Sequence, residues 1–253
     1  WESFLSTFSY VFSLEGLFLT GTALVFSKIF HEFGHAYTVK KYGCKVPSMG
    51  VAFLVLWPVL YTDASDAWTL ASRRQRLLIG AAGMLTELGL AVIATLCWSF
   101  MDPGPARSAV FLLATTTWIM TLLVNLNPFM RFDGYYLRSD WLGMPNLQDR
   151  AFGLARWRLR EWLFGFGEPA PEYFPQARAQ LLTLYAFGTW IYRFFLFVGI
   201  AVLVYYLFFK ALGIFLMVVE LVWFIGRPVY NEVKQWLERK NAMRLNQQMV
   251  RTL

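Results

Sequence analysis

Residues 20–41 read TGTALVFSKIFHEFGHAYTVKK, an apolar run interrupted by a polar cluster and closed by two lysines. The run extends from about Leu14 to Val39, and about 20 mostly apolar residues suffice to cross a bilayer core as a helix. Inside it, His31-Glu32-Phe33-Gly34-His35 sets two histidines at i and i+4. Helical spacing puts both imidazoles on one face, about 5–6 Å apart at Cβ, suited to one tetrahedral zinc ion. Glu32 lies beside them and is placed to act as a base on a zinc-bound water. These are the only two histidines of the chain. Ionisable groups at membrane depth cost roughly 2.5–3.5 kcal/mol each by insertion scales, so such groups are functional by default.

The rest of the chain agrees with a membrane setting. Of its 253 residues 57% are hydrophobic and 15% charged, and the mean hydropathy is +0.45. Soluble domains carry about 45–50% apolar and about 25% charged residues, so a disordered chain and an ordinary water-soluble enzyme are both excluded. The net charge of +7 comes from 23 Lys and Arg against 16 Asp and Glu. These bases sit between apolar blocks rather than on one face, which speaks for a membrane protein and against nucleic acid. Cys44 and Cys97 match no disulfide or metal framework and read as packing residues. Because residue 1 is Trp, the chain is expected to be an excerpt, with any targeting signal outside it.

Further apolar stretches run from Leu77 to Phe100, from Ala109 to Leu126 and from Leu181 to Ile225. The last is too long for one span, and Lys210 and Gly213 divide it into two helices. Between the first two spans, residues 46–63 (VPSMGVAFLVLWPVLYTD) are apolar but short, β-branched and broken by Pro58. An extended hairpin or re-entrant segment fits better than a helix, and such backbone survives at membrane depth only in protein or against a wet cavity. The reading is an all-α polytopic membrane protein of about five transmembrane helices, with the hairpin at the cytosolic boundary of the site. Its parts are a membrane core over residues 1–140, a cytosolic amphipathic segment over 141–178, two further spans over 179–227 and a cytosolic charged helix over 228–253. The positive-inside rule puts the N-terminal end outside and the C-terminal end, with nearly all the bases, in the cytosol.

A catalytic zinc takes a third protein ligand and keeps its fourth position for water. With no third histidine, that ligand is a carboxylate, or else a cysteine. Asp133, Glu87, Asp63 and Asp66 all sit near membrane depth. Asp133 follows the third span in Asn125-Leu126-Asn127-Pro128-Phe129-Met130-Arg131-Phe132-Asp133-Gly134, where Pro128 breaks the helix and Gly134 frees the backbone. A straight third span would leave Asp133 beyond the membrane face, short of the histidines, so the chain must fold back or the span start deeper.

HEFGH in a core span, an apolar hairpin segment after it, and NxxPxxxxDG after a later span resemble the site-2 protease family of intramembrane zinc metalloproteases. The resemblance covers about residues 15–140 and implies one zinc per chain, held by His31, His35 and Asp133, with Glu32 as general base. It also implies that Asn125 holds the substrate strand, and that the substrate is a membrane-embedded or membrane-associated polypeptide. RFDGYY followed by SD looks most like a bacterial branch encoded near secretion or export components, which implies the bacterial inner membrane. Glu87 lies about 15 Å deep and His31 about 14 Å deep at 1.5 Å per residue. Glu87 is thus either a partner of a zinc-bound imidazole or an ion-pair partner of Lys28 or Arg193. Arg193 and Glu220, one charge in each of the last two spans, are expected to pair. The alternative function is a non-proteolytic, zinc-containing membrane component of an export system, against which the presence of Glu32 argues. A channel built on the last two spans is a third reading.

Overall fold

The structure is a computed structural model that describes residues 13–54, 57–165, 167–207, 210–227, 229–231 and 233–234. It divides into two compact units, residues 1–150 and residues 151–253.

The first unit opens with α1, Leu14–Lys41. Its start is set by Ser13, whose hydroxyl accepts the Gly16 N–H at 3.0 Å, and by Glu15 against the positive end of the helix dipole. Lys40 and Lys41 favour its C-terminal end. Gly43, at φ +78°, then takes the left-handed turn that glycine adopts without steric cost. Strands β1 (Met49–Leu54) and β2 (Trp57–Thr62) follow as an antiparallel hairpin, with Met49 opposite Thr62 and Phe53 opposite Pro58. This is the hairpin anticipated within residues 46–63. It forms a sheet of its own, and Met49, Val51 and Phe53 on β1 are exposed. The Thr62 hydroxyl of β2 donates to the Glu32 carbonyl at 3.2 Å, tying the hairpin to α1.

Two long helices complete the core: α2, Arg73–Phe100, and α3, Pro105–Ile119. Pro105 sits at the first turn of α3, where its missing N–H costs nothing. α3 starts ahead of the expected Ala109 and runs into a π-helical turn over Met120–Asn125. Both α2 and α3 pack on α1 and on each other. After the π turn the chain reverses: the Asn127 side chain accepts the Phe129 N–H at 2.8 Å, and α4 starts at Asp133 and ends at Leu142. This is the fold-back that the position of Asp133 demands. A side chain on Gly134 would strike the Leu126 carbonyl, with the Asn125 oxygen 2.9 Å away, so only glycine permits the reversal. Arg131 braces it by a bidentate pair with Asp149 (2.8 and 3.0 Å) and a hydrogen bond to Gln148 Oε1.

α5 spans Leu147–Phe164 and continues into the second unit. Leu159, Trp162 (81% exposed) and Leu163 face outward on its later turns, as an interfacial helix does. α6, Gln176–Leu207, and α7, Lys210–Leu221, pack against each other, and a π turn over Val222–Gly226 follows. The expected helix over 228–253 lies almost wholly outside the described residues.

Among the described residues three helices are long and apolar enough to cross a membrane: Arg73–Phe100, Pro105–Asn125 and Gln176–Tyr206. The expectation of five spans is therefore met in part. Lys28, His31, Glu32 and His35 lower the apolarity of α1, and α7 is only 12 residues long before its π turn. The expected Arg193–Glu220 contact is absent at Glu220 Oε2, which is buried with no hydrogen-bond partner. Arg193 lies instead with its guanidinium carbon 5.7 Å from the centre of the Phe152 ring.

α6 and α7 approach closely at Gly213, where a Cβ would fall 2.5 Å from the Tyr205 Cα. Gly213→Ala should push the helices apart and cost about 1–3 kcal/mol, read as a lowered melting temperature in detergent. Gly199→Ala, where a Cβ meets nothing within 4 Å, should hold or raise it.

Candidate active site

α1 supplies His31, Glu32 and His35, α2 supplies Glu87, and the fold-back supplies Asp133. The two imidazole Nε2 atoms lie 3.2 Å apart. Asp133 Oδ2 is 2.8 Å from His31 Nε2 and 3.6 Å from His35 Nε2. The possible ligand atoms of the three residues all fall within 4.8 Å of one another.

The outer ring nitrogens decide what this cluster can hold. His35 Nδ1 is 2.8 Å from the Ile79 carbonyl, which can only accept, so Nδ1 carries a proton. In neutral imidazole that leaves a lone pair on Nε2. His31 Nδ1 faces Glu87 Oε1 at 3.2 Å, likewise an acceptor. That contact has ion-pair distance but falls short of hydrogen-bond alignment, so Nδ1 has no formal partner. Both inner nitrogens then present lone pairs to each other and to Asp133 Oδ2, which is itself buried without a hydrogen-bond donor. Three convergent acceptors repel unless a proton or a metal cation lies among them. Two imidazoles and one carboxylate match the donor set of catalytic zinc. The residues fit the ion.

The approach of α2 makes room for this arrangement. A Cβ on Gly83 would fall 2.5 Å from both Nε2 atoms, and one on Gly34 would meet Thr86 Oγ1 and the Ala82 carbonyl at 2.8 Å. Neither glycine was singled out as a site residue, because its role depends on a contact between helices that sequence spacing does not reveal. Glu32 is buried on α1, rotated by about 100° from His31 at 3.6 residues per turn.

The other acidic candidates serve elsewhere. Asp63 accepts the Ser65 N–H at 2.9 Å, and the Ser65 hydroxyl and N–H hold its carboxyl below the usual carboxylate range. Asp66 Oδ2 accepts the Lys45 N–H at 2.6 Å. Both therefore shape the loop after the hairpin. Glu87 is 0% exposed and meets Lys28 Nζ at 2.8 Å through Oε1, the ion pair that was one of the readings open for it, and the same oxygen lies 3.2 Å from His31 Nδ1. Its Oε2 accepts the Thr121 hydroxyl at 2.7 Å and Asn125 Nδ2 at 2.6 Å. Sequence reasoning missed Thr121. The signal for Lys28 was its place one turn before His31.

A family model described as peptidase family M50 matches residues 20–222. The chain belongs to that family, the site-2 proteases. Its members are membrane metalloproteases that use zinc, so the chain is a peptidase by family and a multi-pass membrane protein by family and by its apolar helices. No curated protein and no solved structure matches the chain.

Gly83→Ala is expected to abolish zinc binding, because a methyl group would occupy the space between the two imidazoles. Gly80→Ala, whose Cβ would meet only Leu137 Cδ1 at 3.9 Å, is expected to keep one zinc per chain. Metal analysis of the purified variants checks this, and full zinc in Gly83→Ala would contradict it.

Proposed function

We propose that the chain is an intramembrane zinc-dependent endopeptidase that cleaves a peptide bond of a membrane-embedded or membrane-associated polypeptide. The convergence of His31, His35 and Asp133 beside the buried Glu32 carries this reading. His31 and His35 would bind zinc through Nε2, and Asp133 through a carboxylate oxygen. Bound there, zinc would supply the Lewis acidity that activates water and polarises the scissile carbonyl. Glu32 accepts the proton of the attacking water and delivers it to the leaving amine, as a general base and then a general acid. The Ile79 carbonyl holds the His35 ring in the tautomer that binds.

A helical substrate has its amides hydrogen-bonded and must unwind before attack. The β1–β2 hairpin, tied to α1 through Thr62, offers an edge on which an unwound segment pairs as an added strand. Because one amide hydrogen of Asn125 goes to Glu87, a substrate contact by that side chain falls to its remaining hydrogen or its oxygen. The distribution of Lys and Arg supports an N-terminal end outside, and the site opening, α5 and the C-terminal end in the cytosol.

Glu32→Gln should keep one zinc and the fold but lower cleavage by about 10²–10⁴-fold. The assay is cleavage of a labelled single-span polypeptide in liposomes, and a wild-type rate would remove Glu32 from the base role. Asp133→Ala should lose zinc; full zinc there would move the third ligand elsewhere. Single cysteines placed in α5 should resist an impermeant thiol reagent added to intact cells, and labelling from outside would reverse the topology.

A further inference from the structure

Among the described residues of the first unit Glu87 is a fully enclosed charge, and the proposed chemistry makes no use of it. Its two oxygens divide between two structures. Oε1 faces His31 Nδ1 and Lys28 Nζ, both from α1. Oε2 accepts Thr121 and Asn125 from the π turn that ends α3. The Asn125 backbone oxygen in turn lies under Gly134, next to Asp133. One carboxylate thus touches the ring of one proposed ligand and the turn that delivers another.

We propose that Glu87 is a positioning residue that sets two metal ligands at once: His31 directly and Asp133 through Asn125. An acceptor at Nδ1 favours the His31 tautomer whose Nε2 lone pair points toward Asp133 and His35. Such outer partners raise ligand basicity and fix ring orientation. Lys28 supplies the positive charge without which a carboxylate at this depth would be uncompensated. The π turn has a function in this scheme, as π turns at sites commonly do. Leu126 N–H reaches back to the Thr121 carbonyl at 2.9 Å, and the widened turn carries Thr121 and Asn125 together onto Oε2. Asn125, expected at the substrate, belongs on this account to the frame of the metal site.

The inference rests on the metal-site reading, and the test separates the two. The full chain in detergent is titrated with Co²⁺, following the visible absorption bands and a chelator competition. Absence of Co²⁺ binding to the wild-type chain would sink the metal site itself. Given that binding, Glu87→Gln should weaken Co²⁺ affinity by about 10–100-fold and shift the visible bands. Because this change leaves Lys28 unpaired and threatens the fold, Lys28→Met with Glu87→Gln keeps the charge balance. That pair should restore the melting temperature but not the affinity. Asn125→Ala, with both charges in place, should lower affinity several-fold and release Asp133, seen as visible bands shifted from those of the wild-type chain. Wild-type affinity and bands in the charge-balanced pair would reduce Glu87 to a structural partner of Lys28. Wild-type bands in Asn125→Ala would remove the arm that reaches Asp133.

Discussion

Two imidazole nitrogens 3.2 Å apart, each with its outer nitrogen turned to an acceptor, cannot rest against each other as bare lone pairs. Adding a buried carboxylate oxygen 2.8 Å from one of them makes the conflict worse unless a proton or a metal cation is held among the three. Much of the first unit arranges for this convergence. Gly83 and Gly34 let α2 come close enough to α1, Gly134 lets the chain turn back under the Leu126 carbonyl, and Arg131 braces that turn on Asp149 and Gln148. Where adjacent helices would ordinarily fill such space with side chains, these glycines leave it for His31, His35 and Asp133.

Helix packing alone does not explain the polar residues inside α1. Lys28, His31, Glu32 and His35 lower its apolarity to the point that it falls outside the helices long and apolar enough to cross a membrane. Packing against α2 offsets part of that cost, because Lys28 and His35 meet polar groups there rather than lipid. Lys28 meets Glu87, His35 meets the Ile79 carbonyl, and the Glu32 carbonyl meets Thr62. Thr62 ties the hairpin to α1, so its strand backbone there is covered by protein on one side.

What the sequence revealed follows from how local each signal is. The histidine pair and its helix are encoded within five residues, and the hairpin within eighteen, with Pro58 and β-branching excluding a helix. The candidacy of Asp133 was legible from the Pro128 and Gly134 that flank it, yet the path back to the histidines was not. A π turn has no composition of its own, and here it replaces the end of what reads as a plain apolar span. Glu87 was legible as a depth match to His31, but equal depth could not choose among the imidazole, Lys28 and Arg193; its Oε1 pairs with Lys28 Nζ at 2.8 Å and lies 3.2 Å from His31 Nδ1. Arg193 and Glu220 show the opposite failure. Their single-charge pattern suggested a pair, while the guanidinium lies over Phe152 and Glu220 Oε2 remains without a donor.

The central claim is that zinc is held by two imidazoles and a carboxylate. X-ray absorption at the zinc edge of the purified chain tests it most directly. The account predicts nitrogen and oxygen neighbours at about 2.0–2.2 Å with the outer-shell scattering of two imidazole rings. Cys44 is buried and Cys97 exposed, so thiolate is the chemical rival. A sulfur shell at about 2.3 Å, or scattering from fewer than two rings, would contradict the account.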